Sequence, residues 1–172
     1  MVLSLDVKDF FGNIQWWQVL EVFRGMGFSS EVAKALTDLT VLRGSLPQGA
    51  PTSPAISNLV MRNVDDVCDR FARSISVGYT RYADDLTFSG TFRVKRVLDK
   101  VTAILRGVGF ELNPEKTRLM LRHQRQEVTG VVVNEHLQVP RSVRRGLRQE
   151  IYYIKAFGLE GALLASHLAV RE

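Results

Sequence analysis

Three aspartates stand where a chain has few reasons to place charge. Asp6 closes the apolar run Val2-Leu3-Ser4-Leu5. Asp84-Asp85 tip a hairpin whose flanks, Val77-Gly78-Tyr79 and Leu86-Thr87-Phe88, are apolar or β-forming. Carboxylates brought together at strand ends repel one another and call for cations. Hard divalent ions such as Mg²⁺ take carboxylate oxygens together with substrate phosphates. Two such ions about 3.5–4 Å apart clamp the attacking and leaving oxygens of a phosphoryl transfer. Asp6 with the Asp84-Asp85 pair is therefore a candidate two-metal site. An Asp-Asp pair is also common as a solvated hairpin tip, and spacing alone leaves both readings open.

The elements that must position these acids follow from periodicity and punctuation. Val2–Val7 alternates weakly and predicts a short buried strand ending on an acid. Residues 13–25 and 30–43 predict helices, separated by Gly25-Met26-Gly27 and restarted by a Ser29/Ser30 cap. Leu46–Pro54, with three prolines and a glycine, predicts a loop that opens a helix at Ser53 or Pro54. Ile56, Leu59, Val60, Val64, Val67 and Phe71 give that helix an apolar face to about Phe71. Ser76–Tyr82 and Leu86–Ser89 predict the acidic hairpin. Phe92–Gly107 predicts a helix with Val94, Val97, Leu98, Val101, Ile104 and Leu105 on one face. Phe110–Leu112 and Thr117–Leu121 predict short strands, and Glu127–Val133 with His136–Val139 predicts a second hairpin over Asn134-Glu135. A last helix runs from Arg141 to about Phe157. Strands arranged in hairpins and mixed with helices predict an α+β fold with an antiparallel sheet.

Composition narrows the function classes. The chain has 172 residues, 45% hydrophobic and 24% charged, an ordinary globular balance that excludes disordered, collagenous and coiled-coil classes. No apolar run reaches the roughly 18 residues of a spanning helix, and Met1–Asp6 does not read as a signal peptide. An intracellular protein without a membrane partner is the expectation. The single cysteine, Cys68, excludes an internal disulfide and a multi-cysteine metal site, and His123, His136 and His167 lack zinc-ligand spacing. The net charge of +5 is unevenly placed: residues 1–90 carry −2 and residues 91–172 carry +7. That asymmetry points to a polyanion partner for the second half, or to a basic solvated surface. Arg141, Arg144, Arg145 and Arg148 fall at i, i+3, i+4 and i+7, a basic stripe suited to a phosphate backbone. Val143, Leu147, Ile151 and Ile154 form the opposite stripe.

Read together, the segments resemble the palm of the reverse transcriptases. Leu5-Asp6-Val7-Lys8-Asp9-Phe10-Phe11, Leu46-Pro47-Gln48-Gly49-Ala50-Pro51-Thr52-Ser53-Pro54 and Tyr79-Thr80-Arg81-Tyr82-Ala83-Asp84-Asp85-Leu86 occur in the family's order. Gly109–Thr117 and Glu127–Asn134 continue it, so that five motifs cover the chain to about residue 157. Val128-Thr129-Gly130 and the basic helix after it look most like the bacterial retron type; intron-encoded and antiviral defence-associated relatives share much of the pattern.

The resemblance implies a polymerase palm over residues 1–139, an antiparallel sheet flanked by helices, and the start of a helical thumb over 140–172. It implies that Asp6 and Asp84 bind two Mg²⁺ ions (or Mn²⁺), with Asp85 less direct and the Val7 carbonyl a further ligand. Phe11 takes the place of the aromatic gate against a ribose 2′-hydroxyl. Gln48 and Gly49 approach the incoming nucleotide and the template. Lys116 lies near the leaving pyrophosphate as a cation or proton donor. Val128, Thr129 and Gly130 belong to a hairpin that grips the primer end, and Arg141, Arg144, Arg145 and Arg148 track nucleic acid.

The implied activity is RNA-directed DNA polymerisation in the bacterial cytoplasm. Its partners are an RNA template and primer, deoxynucleotides and a cognate structured non-coding RNA. The family's fingers region and most of the thumb are not seen in these 172 residues, so the chain alone is expected to be a poor polymerase and to self-associate through apolar surface. A second reading is a non-catalytic RNA-binding module derived from such an enzyme. A nucleotide cyclase on a related sheet leaves Gln48-Gly49 and the basic helix without a use.

Overall fold

In the computed structural model, residues 1–169 are described, with side chains through residue 159. They form two compact units, Met1–Gln124 and the described residues from Arg125 onward. The first is built on a four-stranded antiparallel sheet. Its strands are β1 (Val2–Asp6), β2 (Gly78–Tyr82), β3 (Asp85–Ser89) and β4 (Arg118–Met120), ordered β2-β3-β1-β4. The α+β architecture is as the hairpin pattern predicts.

Side chains alternate across a strand, and the β1–β3 register sorts them by chemistry. Leu3 stands opposite Phe88 and Leu5 opposite Leu86, all four fully buried, while Asp6 stands opposite Asp85. Full burial of one such apolar side chain is worth about 1.5–3 kcal/mol. Val7 continues the buried face past the strand end and forms a single bridge to Leu112. That bridge is all that becomes of the strand predicted at Phe110–Leu112.

The helices supply the rest of this core. α1 (Phe10–Asn13) is one turn, and α2 (Trp16–Gly25) begins after a break at Ile14-Gln15, where Gln15 and Gln18 cap each other's backbone amides. The helix predicted over 13–25 thus begins three residues later, at Trp16, behind its own capping residue. α3 (Ser30–Thr40) starts on the expected cap, with Ser29 Oγ accepting from the Val32 amide at 3.3 Å. Trp16 Nε1 ties α2 to α3 by donating to Asp38 at 2.7 Å.

α4 (Ser53–Ser74) packs against β2 and α5 (Val94–Arg106). Its buried stripe is Ile56, Met61, Val64, Cys68 and Ala72. Leu59, expected inside, is exposed, because helical phase places Met61 and Cys68 at the core instead. Val97, Val101 and Leu105 of α5 are buried as expected. The α2–α3 pair and the loop after it leave Trp17, Leu39 and Leu42 exposed.

The second unit holds a small hairpin, β5 (Glu127–Val128) with β6 (Val131–Val132), and α6 (Arg141–Ala169). The hairpin turns on Thr129-Gly130, both left-handed with φ 47° and 79°. Two consecutive left-handed residues match the right-handed twist of flanking strands. The turn predicted over Asn134-Glu135 is present as the loop closed by an antiparallel bridge between Val132 and Gln138. α6 is interrupted at Gly158, whose backbone is non-helical.

Candidate active site

Asp6 is the last residue of β1 and is largely buried. Its backbone carbonyl accepts from the Asn113 amide at 2.8 Å. Its carboxylate Oδ2 accepts from Lys116 Nζ at 3.1 Å, from a short 3₁₀ turn at Pro114–Lys116. Asn113 caps that turn by accepting from the Glu115 amide. The two chain segments are 110 residues apart in sequence, and β4 beside β1 brings them together.

Tyr82 pairs with Asp85, so the hairpin loop is only Ala83-Asp84. Ala83 is left-handed, with φ 51°. The Asp84 carbonyl accepts from the Val7 amide at 3.0 Å, which stitches this turn to the end of β1. Asp6, Val7, Asp84 and Asp85 therefore share one end of the sheet, and Lys116 joins them. Burial, then Asp84, then Asp6 hold the Asp85 carboxyl above the usual carboxylate range. The hydrogen bond to Asp6 raises the Lys116 ammonium.

The donor set fits hard divalent cations: carboxylates gathered at one end of the sheet, with a lysine already drawn in as a partial counter-charge. Among the described residues no three or more His, Cys, Asp or Glu side chains converge into a complete protein-built metal site. An ion such as Mg²⁺ keeps several waters and needs only one or two carboxylates beside substrate phosphate. Lys116 takes one oxygen of Asp6.

The remaining predicted residues fall in three places. Phe11 is half-buried and meets the buried Phe10 edge-on, with centroids 5.2 Å apart. Gln48 and Gly49 are exposed, Gly49 at φ 88°, and Ser53 Oγ secures their loop by donating to the Pro47 carbonyl at 2.7 Å. Val128, Thr129 and Gly130 form the turn side of the β5–β6 hairpin, and Arg141, Arg144, Arg145 and Arg148 are exposed on α6, in the second unit. The α6 residues Val143, Leu147, Ile151 and Ile154 are exposed too. His167 lies outside the residues whose side chains are described.

One cluster was not anticipated. The Arg81 side chain, 6% exposed, forms a bidentate pair with Asp65 of α4: Nε to Oδ1 and Nη2 to Oδ2, both 2.7 Å. Tyr79 Oη donates to the same Asp65 Oδ1 at 2.7 Å. Arg81 Nη1 donates to Asn58 Oδ1 at 3.1 Å and to the Ala83 carbonyl at 2.9 Å. The signal was strand parity: Arg81 shares a face with Val77 and Tyr79, where a charge needs a partner.

Antiparallel strands that put acids at a hairpin tip beside a strand-end acid, with helices behind, define a polymerase palm. Residues 1–133 match the family described as reverse transcriptase (RNA-dependent DNA polymerase). The chain belongs to that family. It is 35% identical to the retron Mx162 reverse transcriptase and 38% identical to the retron Mx65 reverse transcriptase, both of Myxococcus xanthus. Each comparison covers 88% of this chain, and 39% and 40% of those proteins. It is 32% identical to the retron Ec86 reverse transcriptase of Escherichia coli, over 89% of this chain and 49% of that one. The chain thus spans less than half the length of these relatives. A truncated apo telomerase from Candida tropicalis shares the fold at a TM-score of 0.59 and 13% identity, over 81% of this chain and 35% of the other. Among the described residues no helix is long and apolar enough to cross a membrane.

Proposed function

We propose that this chain carries the nucleotidyl-transfer centre of a bacterial, retron-type RNA-directed DNA polymerase. The observation that carries the reading is the in-register pairing of Asp6 with Asp85, with Asp84 beside them and Lys116 on the Asp6 carboxylate. In the reaction the primer 3′-hydroxyl loses its proton and its oxygen bonds to the α-phosphorus of a deoxynucleotide. The α–β phosphoanhydride bond breaks and pyrophosphate leaves. Asp6, Asp84 and Asp85, with the Val7 carbonyl, would hold two Mg²⁺ ions, which lower the charge on the reacting oxygens when bound. Lys116 stands ready to shift from Asp6 to the leaving phosphate and to neutralise or protonate it.

Residues 1–139 serve as the palm and 140–172 as the start of the thumb. Phe11 excludes a ribose 2′-hydroxyl by bulk. Gln48 and Gly49 meet nucleotide and template, and Val128, Thr129 and Gly130 hold the primer end. The exposed arginines of α6 take a phosphate backbone, the template being RNA and the cognate partner a structured non-coding RNA in the bacterial cytoplasm. Self-association would use the apolar surface against which a fingers region packs.

The test is primer extension on an RNA template with deoxynucleotides and Mg²⁺, with a fingers region supplied in trans or by fusion, comparing wild type with Asp84→Asn. Extension that falls at least a hundredfold in the variant supports the reading. RNA binding with no extension in either protein selects the non-catalytic RNA-binding module.

A further inference from the structure

Ala83 is left-handed without being glycine, a conformation that L-residues rarely adopt. Such strain persists where surrounding contacts over-determine it. Here two bonds do so, one on each carbonyl of the turn: the Val7 amide on the Asp84 carbonyl, and Arg81 Nη1 on the Ala83 carbonyl. The first comes from the residue just past the end of β1. The second comes from an arginine that is itself immobilised on α4 by Asp65 and Asn58.

We propose that Arg81 is a positioning residue, which, clamped by Asp65 and Asn58, holds the Ala83-Asp84 turn in the conformation that presents Asp84 and Asp85 to the reaction centre. Four of the five guanidinium hydrogens are used. Nε and Nη2 are fixed on the Asp65 carboxylate in the fork geometry only arginine offers, and both Nη1 hydrogens are spent on Asn58 and Ala83. Tyr79 completes the clamp by donating to Asp65, so the carboxylate cannot swing away without losing three bonds. The effect is to reference the acidic turn to α4 as well as to the sheet. α4 is the helix that emerges from the Gln48-Gly49 loop. The clamp therefore links the turn bearing the acids to the segment assigned to nucleotide and template.

The inference rests on the reading of Asp84 and Asp85 as the metal-holding pair, and its test separates the two. The informative variant is Asp65→Leu with Arg81→Met. It removes both charges together, because a buried pair replaced by apolar residues of similar volume is often neutral for stability. The tie to Ala83 is then gone, while no charge is left stranded. The readout is amide hydrogen exchange at Val7, whose protection reports the bond to Asp84, with Leu3 and Leu5 of the preceding strand as internal references. The expected result is at least a tenfold loss of protection at Val7, with Leu3 and Leu5 unchanged, and a several-fold weaker Mn²⁺ affinity.

Should the double variant fail to fold, Arg81→Lys keeps the charge but cannot span Asp65, Asn58 and Ala83 at once. It is expected to lose Val7 protection in the same way. Protection at Val7 equal to wild type in a folded variant overturns the proposal. Mn²⁺ affinity unchanged by Asp84→Asn overturns the metal reading, whatever Val7 shows.

Discussion

Asp6 and Asp85 are direct cross-strand partners at the point where β1 ends and β3 begins. Opposed like charges destabilise a strand pair, so the metal-free site works against the fold that builds it. Burial, Asp84 and Asp6 hold Asp85 above the usual carboxylate range. The folded state therefore favours its protonated form, and stability falls as pH rises from the ordinary carboxylate value to the raised one. Asp85→Asn should raise the melting temperature in chelator by about 1–3 °C. It should also shrink the stabilisation gained from added Mg²⁺. Thermal melts with and without the ion check both signs; a lower melting temperature in chelator would contradict the repulsion.

Lys116 competes with a cation for Asp6. Lys116→Met should tighten Mn²⁺ binding by about 2–5-fold, since a nearby positive charge is removed. It should at the same time slow nucleotide incorporation by about a hundredfold, through loss of the group placed for the leaving phosphate. Electron paramagnetic resonance titration and single-nucleotide extension measure the two. Opposite movement of binding and turnover separates this role from a merely structural one.

Cys68 is buried on α4, where burial first and the Asp65 charge second push its thiol up to about 11. Burial and the hydrogen bond to Asp65 raise the Tyr79 hydroxyl as well. Both groups stay protonated in the folded chain at pH values where the unfolded chain begins to ionise. Stability should therefore decline between about pH 9 and 11, by up to about 2 kcal/mol for the thiol. Urea midpoints at pH 8.5 and 10.5 test this, and Cys68→Ala should reduce the decline. Alkylation at pH 8 should be slow in the native protein and fast once urea unfolds it.

Arg144, Arg145 and Arg148 are exposed on α6. Each phosphate neutralised on single-stranded RNA contributes about −0.7 to the slope of log affinity against log salt. Replacing the three by alanine should flatten that slope by about two units. Fluorescence anisotropy with a labelled single-stranded RNA across a salt series is the measurement. An unchanged slope would move the contact to other residues.

Periodicity alone determined the strand that delivers Asp6, the hairpin that delivers Asp84 and Asp85, the cap at Ser29 and the buried face of α5. In each, neighbours two or four positions apart carry the signal, and that signal is local. The order of five motifs determined the family. What periodicity misplaced were choices between local solutions of similar energy. A tight turn at Thr129-Gly130 broke the strand expected over 127–133, α2 began at its own Gln15 cap, and the stripe of α4 rotated to bury Met61 and expose Leu59. Only tertiary structure decided that Lys116 meets Asp6 and that Arg81 bridges Asp65, Asn58 and Ala83. Those partners are brought together by the placement of β4 beside β1 and of α4 against β2. A hydrogen bond between distant segments leaves no periodic trace in either of them, because its geometry exists only once both are packed.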